Sequence, residues 1–155
     1  MFDPDVVIAA ADHPSLGSGL GDFLAGLRSE HRYFGPSART NPKPFPSLID
    51  AIGRPDGTRL AAVGPERIVG AVRIADDGEV FVAVAQGHRR RGIGTELLAA
   101  ALRHADQDRL VIRASHRSDA VRRAAERLGS VAVDVGRGRV DLFLPARGRA
   151  APTSA

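Results

Sequence analysis

The 155-residue chain contains no cysteine. That excludes a disulfide scaffold, a Cys-ligated zinc site, a Cys nucleophile and an iron–sulfur cluster. Histidine is sparse too, and His13, His31 and His104 have no metal-ligand spacing to one another, so no metal is expected. No apolar run approaches the ~20 residues that span a bilayer, and no membrane partner is expected. The opening Met1-Phe2-Asp3-Pro4-Asp5 has no basic flank, so a secretory signal is not expected either and the expected location is the cytoplasm. Aromatics make up only 5% of the chain, and without interleaved aromatics an Arg-rich face is a poor single-strand binder; nucleic acid is not an expected partner. Lysine is almost absent: of 22 basic residues only Lys43 is lysine, and the sequence pI is 10.8.

The arginines are not spread evenly. Residues 86–127 hold ten of them against five acids (Glu96, Asp106, Asp108, Asp119, Glu126), while the rest of the chain is slightly acidic. A localised positive field suits a phosphorylated ligand. A chain of this length buries roughly 68–70% of its unfolded surface, enough for one domain over residues 1–145, with 146–155 as a frayed tail.

Hydrophobic patterning gives the order β-α-α-β-β-β-α-β-α-β-β. Val6–Ala11 reads as a strand. A helix entered at Asp12-His13-Pro14-Ser15 runs to about Glu30, with Leu20, Phe23, Leu24 and Leu27 on one face and glycines 17, 19 and 21 weakening its start. The stretch to Pro46 reads as loop, and a short helix covers Ser47 to about Ile52. Strands follow at 59–63, 67–75 and 79–85, the last two joined by the hairpin turn Asp76-Asp77-Gly78. Gly92 to about Gln107 is the clearest helix, with Ile93, Leu97, Leu98, Ala101, Leu102 and Ala105 in helical spacing. Leu110-Val111-Ile112 reads as a fully buried strand. A helix capped by Ser118 or Asp119 ends at Gly129, and strands at 131–135 and 139–144 surround Gly136-Arg137-Gly138.

The chemistry concentrates in residues 79–98, where a buried strand runs into the basic, glycine-containing loop Gln86-Gly87-His88-Arg89-Arg90-Arg91-Gly92 and directly into the clearest helix. The first amides of a helix lack internal partners and lie at the positive end of its dipole. Gly92 and Gly94 remove side chains from that opening, and Arg89, Arg90 and Arg91 add fixed charge, or else form only a solvated turn. The loop is neither a Walker A sequence nor a dinucleotide fingerprint.

Arg89-Arg90-Arg91-Gly92-Ile93-Gly94, with Val84 five residues upstream, resembles the pyrophosphate loop of the GNAT family of N-acetyltransferases, and the element order over about residues 6–145 is similar to that family's. The resemblance implies an α/β (α+β) fold: a mixed, mostly antiparallel sheet with splayed central parallel strands, flanked by helices on both faces. It implies acetyl-CoA as cofactor, its pyrophosphate held by Arg89, Arg90, Arg91, Gly92, Ile93, Gly94 and Thr95, its pantetheine arm laid along Val82, Ala83 and Val84, and Ser118 touching the coenzyme. A cleft is expected between Val84 and the end of the neighbouring strand near Ser115.

The implied reaction is acyl transfer to a primary amine, on a protein lysine or a small molecule. Glu79 is the candidate base. It stands ten residues before Arg89, as a Glu does in the bacterial protein-lysine acetyltransferases of the family, and Arg32-Tyr33-Phe34-Gly35-Pro36 is similar to a segment of that branch. The other reading of Glu79 is a solvated carboxylate beside a turn. Where many family members carry a Tyr that protonates the thiolate, this chain has Ala125, and Ser130 replaces a usual aromatic. His116 is a possible stand-in acid or a surface histidine; Tyr33 lines the acceptor groove or merely packs. A non-catalytic coenzyme-A-binding module is the alternative function.

Overall fold

The computed structural model describes residues 4–33, 44–88, 91–115 and 119–146. Among the described residues, seven strands and four α-helices follow the expected order: β1 Val7–Ala10, α1 Gly19–Tyr33, α2 Pro44–Gly53, β2 Thr58–Val63, β3 Ile68–Ile74, β4 Val80–Val84, α3 Ile93–His104, β5 Arg109–Ser115, α4 Asp119–Arg127, β6 Val131–Gly136 and β7 Arg139–Pro145. Helix α1 continues through Tyr33, where a loop is expected, and α3 stops at His104, short of Gln107. Two helix starts also differ, for local reasons. Residues 14–16 form only a 3-10 turn, and Gly17 takes a left-handed φ of 53°, so α1 starts later than expected. Helix α2 already includes Pro44, since proline is tolerated in a first turn, where amides have no helical acceptor.

The strands form two sheets, β1-β2-β3-β4 and β5-β7-β6, antiparallel throughout. Among the described residues one strand bridge joins them, parallel, between Glu79 and Val111. Alternation along β4 decides which core each side chain enters. Val80, Val82 and Val84 join the cluster containing Ile93, Leu97, Leu98 and Leu102 of α3 and Ala124 and Ala125 of α4. Phe81 and Ala83 point the other way, onto Phe23, Leu24 and Leu27 of α1 and Ile49 and Ile52 of α2. Helices therefore flank both faces of the first sheet, and α3 and α4 line the inner face of the second.

Arg73 of β3 is the exception in the second cluster. It is 3% exposed. Its Nε donates to the Asp56 carbonyl at 2.8 Å, Nη1 to the Ala51 carbonyl at 3.1 Å and Nη2 to the Asp56 carboxylate at 3.0 Å. The guanidinium thus fastens the end of α2, where carbonyls lack helical partners, to the sheet. At the other end of the chain, Ala146 is buried and its N–H donates to the Asp108 carbonyl. Among the described residues no helix is long and apolar enough to cross a membrane.

Candidate active site at the splay of two sheets

The site begins at the β3–β4 turn. Gly78 has φ 92°, and its carbonyl accepts the Val111 N–H at 3.0 Å. A Cβ there would come within 2.9 Å of the Arg109 carbonyl oxygen, so only glycine lets β5 come this close. Beyond the Glu79–Val111 bridge no pairing joins β4 to β5 among the described residues. One edge of β4 remains bonded to β3, from Ile74 opposite Val80 to Gly70 opposite Val84. The two strands run parallel and open like a V from Glu79 toward Val84 and Ser115, sharing no ladder past the bridge among the described residues, as a cleft there requires.

Burial follows the opening. In β4 only Val80 is buried, while Val82, Ala83 and Val84 are half-buried. The expectation of a wholly buried strand is corrected here, because one neighbour is missing along most of its length. The reading of Leu110-Val111-Ile112 as fully buried is corrected as well. Leu110 and Ile112 are buried, but Val111 is not, and Arg109 and Arg113 on its side face outward.

Past the open end of β4, residues 86–88 make a 3-10 turn and α3 begins. Gly92, its N-cap, has φ 78° and offers no side-chain cap. The first helical bond runs from the Glu96 N–H to the Gly92 carbonyl at 3.0 Å, so the amides of Ile93, Gly94 and Thr95 precede the internal bonding of the helix. A Cβ on Gly94 would meet only Val84 Cγ2, at 3.8 Å. Amides without a side-chain cap and two glycines at the start of a helix suit an anionic ligand. Beside them the buried Nδ1 of His88 has no hydrogen-bond partner, a feature that nothing in the sequence pattern marks.

At the closed end, Glu79 is partly buried, and its Oε1 lies 3.8 Å from Nη1 of Arg113. Its side-chain oxygens do not hold the turn. Instead Asp77 Oδ1 accepts the Glu79 N–H at 2.9 Å. Arg113 went unmarked in the sequence; the available signal was the alternation of arginine with Leu110 and Ile112.

Of the expected site residues, Val82, Ala83 and Val84 lie on β4, Gly92, Ile93, Gly94 and Thr95 at the start of α3 with Arg91 exposed before them, and Glu79 at the far end of β4; a Cβ on Gly94 would touch Val84, and Ile93 is buried in the core. Arg89, Arg90, His116 and Ser118 lie outside the described residues. Ala125 is fully buried in α4 and carries no acid. A separate cavity of about 630 Å³ lies between the start of α1 and the β2–β3 turn, lined in part by Ser18, Asp22, Phe23, Glu66 and Arg67; it reaches Ala85 and Gly87 but not the apex of the V.

The profile of the acetyltransferase (GNAT) family matches residues 25–129. The chain belongs to this family. It is an acetyltransferase with acetyl-CoA as its donor. No curated protein sequence matches it. Among solved structures, the chain is similar to ribosomal-protein-S5-alanine acetyltransferase from Vibrio fischeri, with 11% identity, a TM-score of 0.64 and coverage of 94% of this chain and 96% of that one. It is similar to yncA from Salmonella typhimurium, determined with its cofactor acetyl-CoA, with 17% identity, a TM-score of 0.59 and coverage of 97% and 99%. A spermidine N-acetyltransferase chimera of Vibrio cholerae SpeG and hSSAT has 14% identity, a TM-score of 0.58 and coverage of 92% and 96%. At these identities the likeness is one of fold. Within this acetyltransferase the fold places a helix start without a side-chain cap next to the end of β4, a strand that shares only one bridge with β5 among the described residues.

Proposed function

We propose that this acetyltransferase moves an acetyl group from acetyl-CoA to a primary amine, on a protein lysine or a small molecule. The observation that carries the reading is the β4–β5 splay ending at the uncapped start of α3. The amides of Ile93, Gly94 and Thr95, together with Arg89, Arg90, Arg91 and the space left by Gly92, hold the pyrophosphate. Val82, Ala83 and Val84 offer a strand edge to the pantetheine arm, and Ser118 adds a hydroxyl. Bound acetyl-CoA supplies an activated acyl carbon.

Glu79 takes the proton that the amine loses, directly or through water. Its spacing from Arg89 is the feature that favours a lysine acceptor. A nitrogen–carbon bond forms, the carbon–sulfur bond breaks, and the thiolate takes up a proton from water, since Ala125 has none to give. Thiol release with a panel of amines and peptides tests the reading. Glu79→Gln is expected to lower kcat about 10²–10⁴-fold with acetyl-CoA affinity nearly intact; turnover at the wild-type rate would reduce Glu79 to a turn residue. The buried Ala125 favours one other reading, a coenzyme-A-binding module without catalysis. Tight acetyl-CoA binding with no thiol release from any amine would select it.

A further inference from the structure

The face of the sheets that carries Glu79 continues beyond the first sheet. Along β5, Leu110 and Ile112 enter the core, so Arg109, Val111 and Arg113 lie on the opposite side, the side of Glu79. The β5–β7 register sets Asp141 opposite Arg113, Phe143 opposite Val111 and Arg139 opposite Ser115. Helices α1 and α2 pack on β3 and β4, and among the described residues no helix packs on this part of the face. The Arg109 guanidinium carbon stands over the Phe143 ring, 4.9 Å from its centroid.

Arg113 is the cation paired with Glu79 at the apex of the V. Its side chain is 51% exposed, and its ion pair with Glu79 is long, at 3.8 Å. A guanidinium has five N–H donors in a planar fork that matches a carboxylate, and one distant partner leaves most of them available. Across the open face, Arg109, Arg113 and Arg139 stand against Glu79 and Asp141, a balance that disfavours an acceptor carrying several positive charges. A fixed cation next to the reacting nitrogen also favours the neutral amine over the ammonium, and only the neutral form attacks a thioester.

We infer that Arg113 is a specificity-determining residue that receives a carboxylate of the acceptor, so that the acceptor is an amino acid: a small amine bearing a carboxylate close to the reacting nitrogen. Val111 and Phe143 beside it provide apolar contact for the rest of the molecule. The inference rests on the amine-acetylation reading above. The acceptor nitrogen gains the acetyl group, loses one proton and leaves as an N-acetylamino acid, with the free thiol as the other product.

The test compares amino acids with their decarboxylated partners, leucine with isopentylamine and arginine with agmatine, together with spermidine and a lysine peptide, in a thiol-release assay. The expected kcat/KM for the amino acid exceeds that of its partner about 10- to 100-fold, with the difference residing mainly in KM. Arg113→Gln brings that ratio to within about threefold of one, and Arg113→Lys, which keeps the charge without the fork, restores part of it. Equal turnover of both partners, preference for spermidine or the lysine peptide, or an Arg113→Gln variant that keeps the ratio overturns the inference while leaving amine acetylation standing. If no amine is turned over, the amine-acetylation reading fails, and titration of N-acetylleucine into the coenzyme-A-loaded protein, followed by NMR, decides the inference separately. Saturable binding lost in Arg113→Gln supports it, and absence of binding overturns it.

Discussion

In the first sheet every residue of β3 is buried, between α3 on one face and α1 and α2 on the other. In the second sheet all six residues of β6 are exposed, and Val131, Val133 and Val135 stand 64%, 44% and 50% exposed on the uncovered side. The same strand chemistry, β-branched and aliphatic, thus serves two purposes. Covered on both faces it makes a rigid platform; at the exposed edge strand it leaves a surface. The proposed chemistry sits at the seam, where Glu79 of the platform meets Val111 of the half-bare sheet. The bare side is also where Arg109 and Arg113 reach solvent.

The comparison is tested most severely in the shared core. Leu97 on α3 is 0% exposed and packs against β3. Leu97→Ala is expected to cost about 2–5 kcal/mol, the transfer energy of the lost atoms plus the cavity left behind. Urea denaturation would measure it, and a loss below about 1 kcal/mol would mean that the platform is far looser than its burial implies.

The opening between the sheets is tested next. Gly92 occupies a left-handed conformation at φ 78°, so Gly92→Val adds backbone strain of about 1 kcal/mol and fills the space in front of the α3 amides. Acetyl-CoA affinity by calorimetry is expected to fall at least tenfold, and binding should weaken with salt because it is largely charge on charge. Gly94→Ala should be milder, since its Cβ would meet only Val84 at ordinary contact distance. Unchanged affinity in Gly92→Val would remove the pyrophosphate assignment.

A smaller effect comes from the clamp on α2. A hydrogen bond from its own backbone, then the charges of Arg73 and Arg54, hold the Asp56 carboxyl below its ordinary value of 3.8, against a partial opposing effect of burial. A depressed value in the folded state adds stability above the ordinary carboxylate range, and that stability is lost as pH falls through the folded value. Asp56→Asn should therefore lower the urea midpoint at pH 7, and its gap from the wild type should narrow toward pH 3. A gap that stays constant between those pH values would show that the ion pair contributes nothing.

Much of this was legible in the sequence. The element order, the Asp76-Asp77-Gly78 hairpin and the face carrying Phe23, Leu24 and Leu27 all follow from local periodicity and turn chemistry, and the pattern at Arg89–Gly94 points to the family. What escaped is what depends on which neighbour a strand lacks. Leu110-Val111-Ile112 looks like a strand buried on both sides, because three consecutive apolar residues carry no record of a missing helix above Val111. For the same reason Val82 to Val84 looked buried although the splay leaves them half-open, and Arg113 appeared as one more arginine in a basic segment. Arg73 is the converse case: its partners, Asp56 and the Ala51 carbonyl, come from a loop and a helix end that periodicity does not place beneath β3.

The smallest expected effect lies on the bare face. Val133 pairs across the strands with Asp141, and its side chain is 44% exposed. Val133→Thr keeps the branched shape and the β preference and replaces one methyl with a hydroxyl that water can reach. Away from a buried partner such a change stays within about 0.5 kcal/mol, against the several expected for Leu97→Ala. The contrast is informative because Val-to-Thr is costly wherever the side chain is enclosed, since the hydroxyl is then desolvated without a partner. A near-neutral result at every protein concentration means that β6 faces water. A loss above about 1 kcal/mol that disappears on dilution means instead that another surface covers β6 in the undiluted protein, and the difference between the two sheets would then belong to the isolated chain alone.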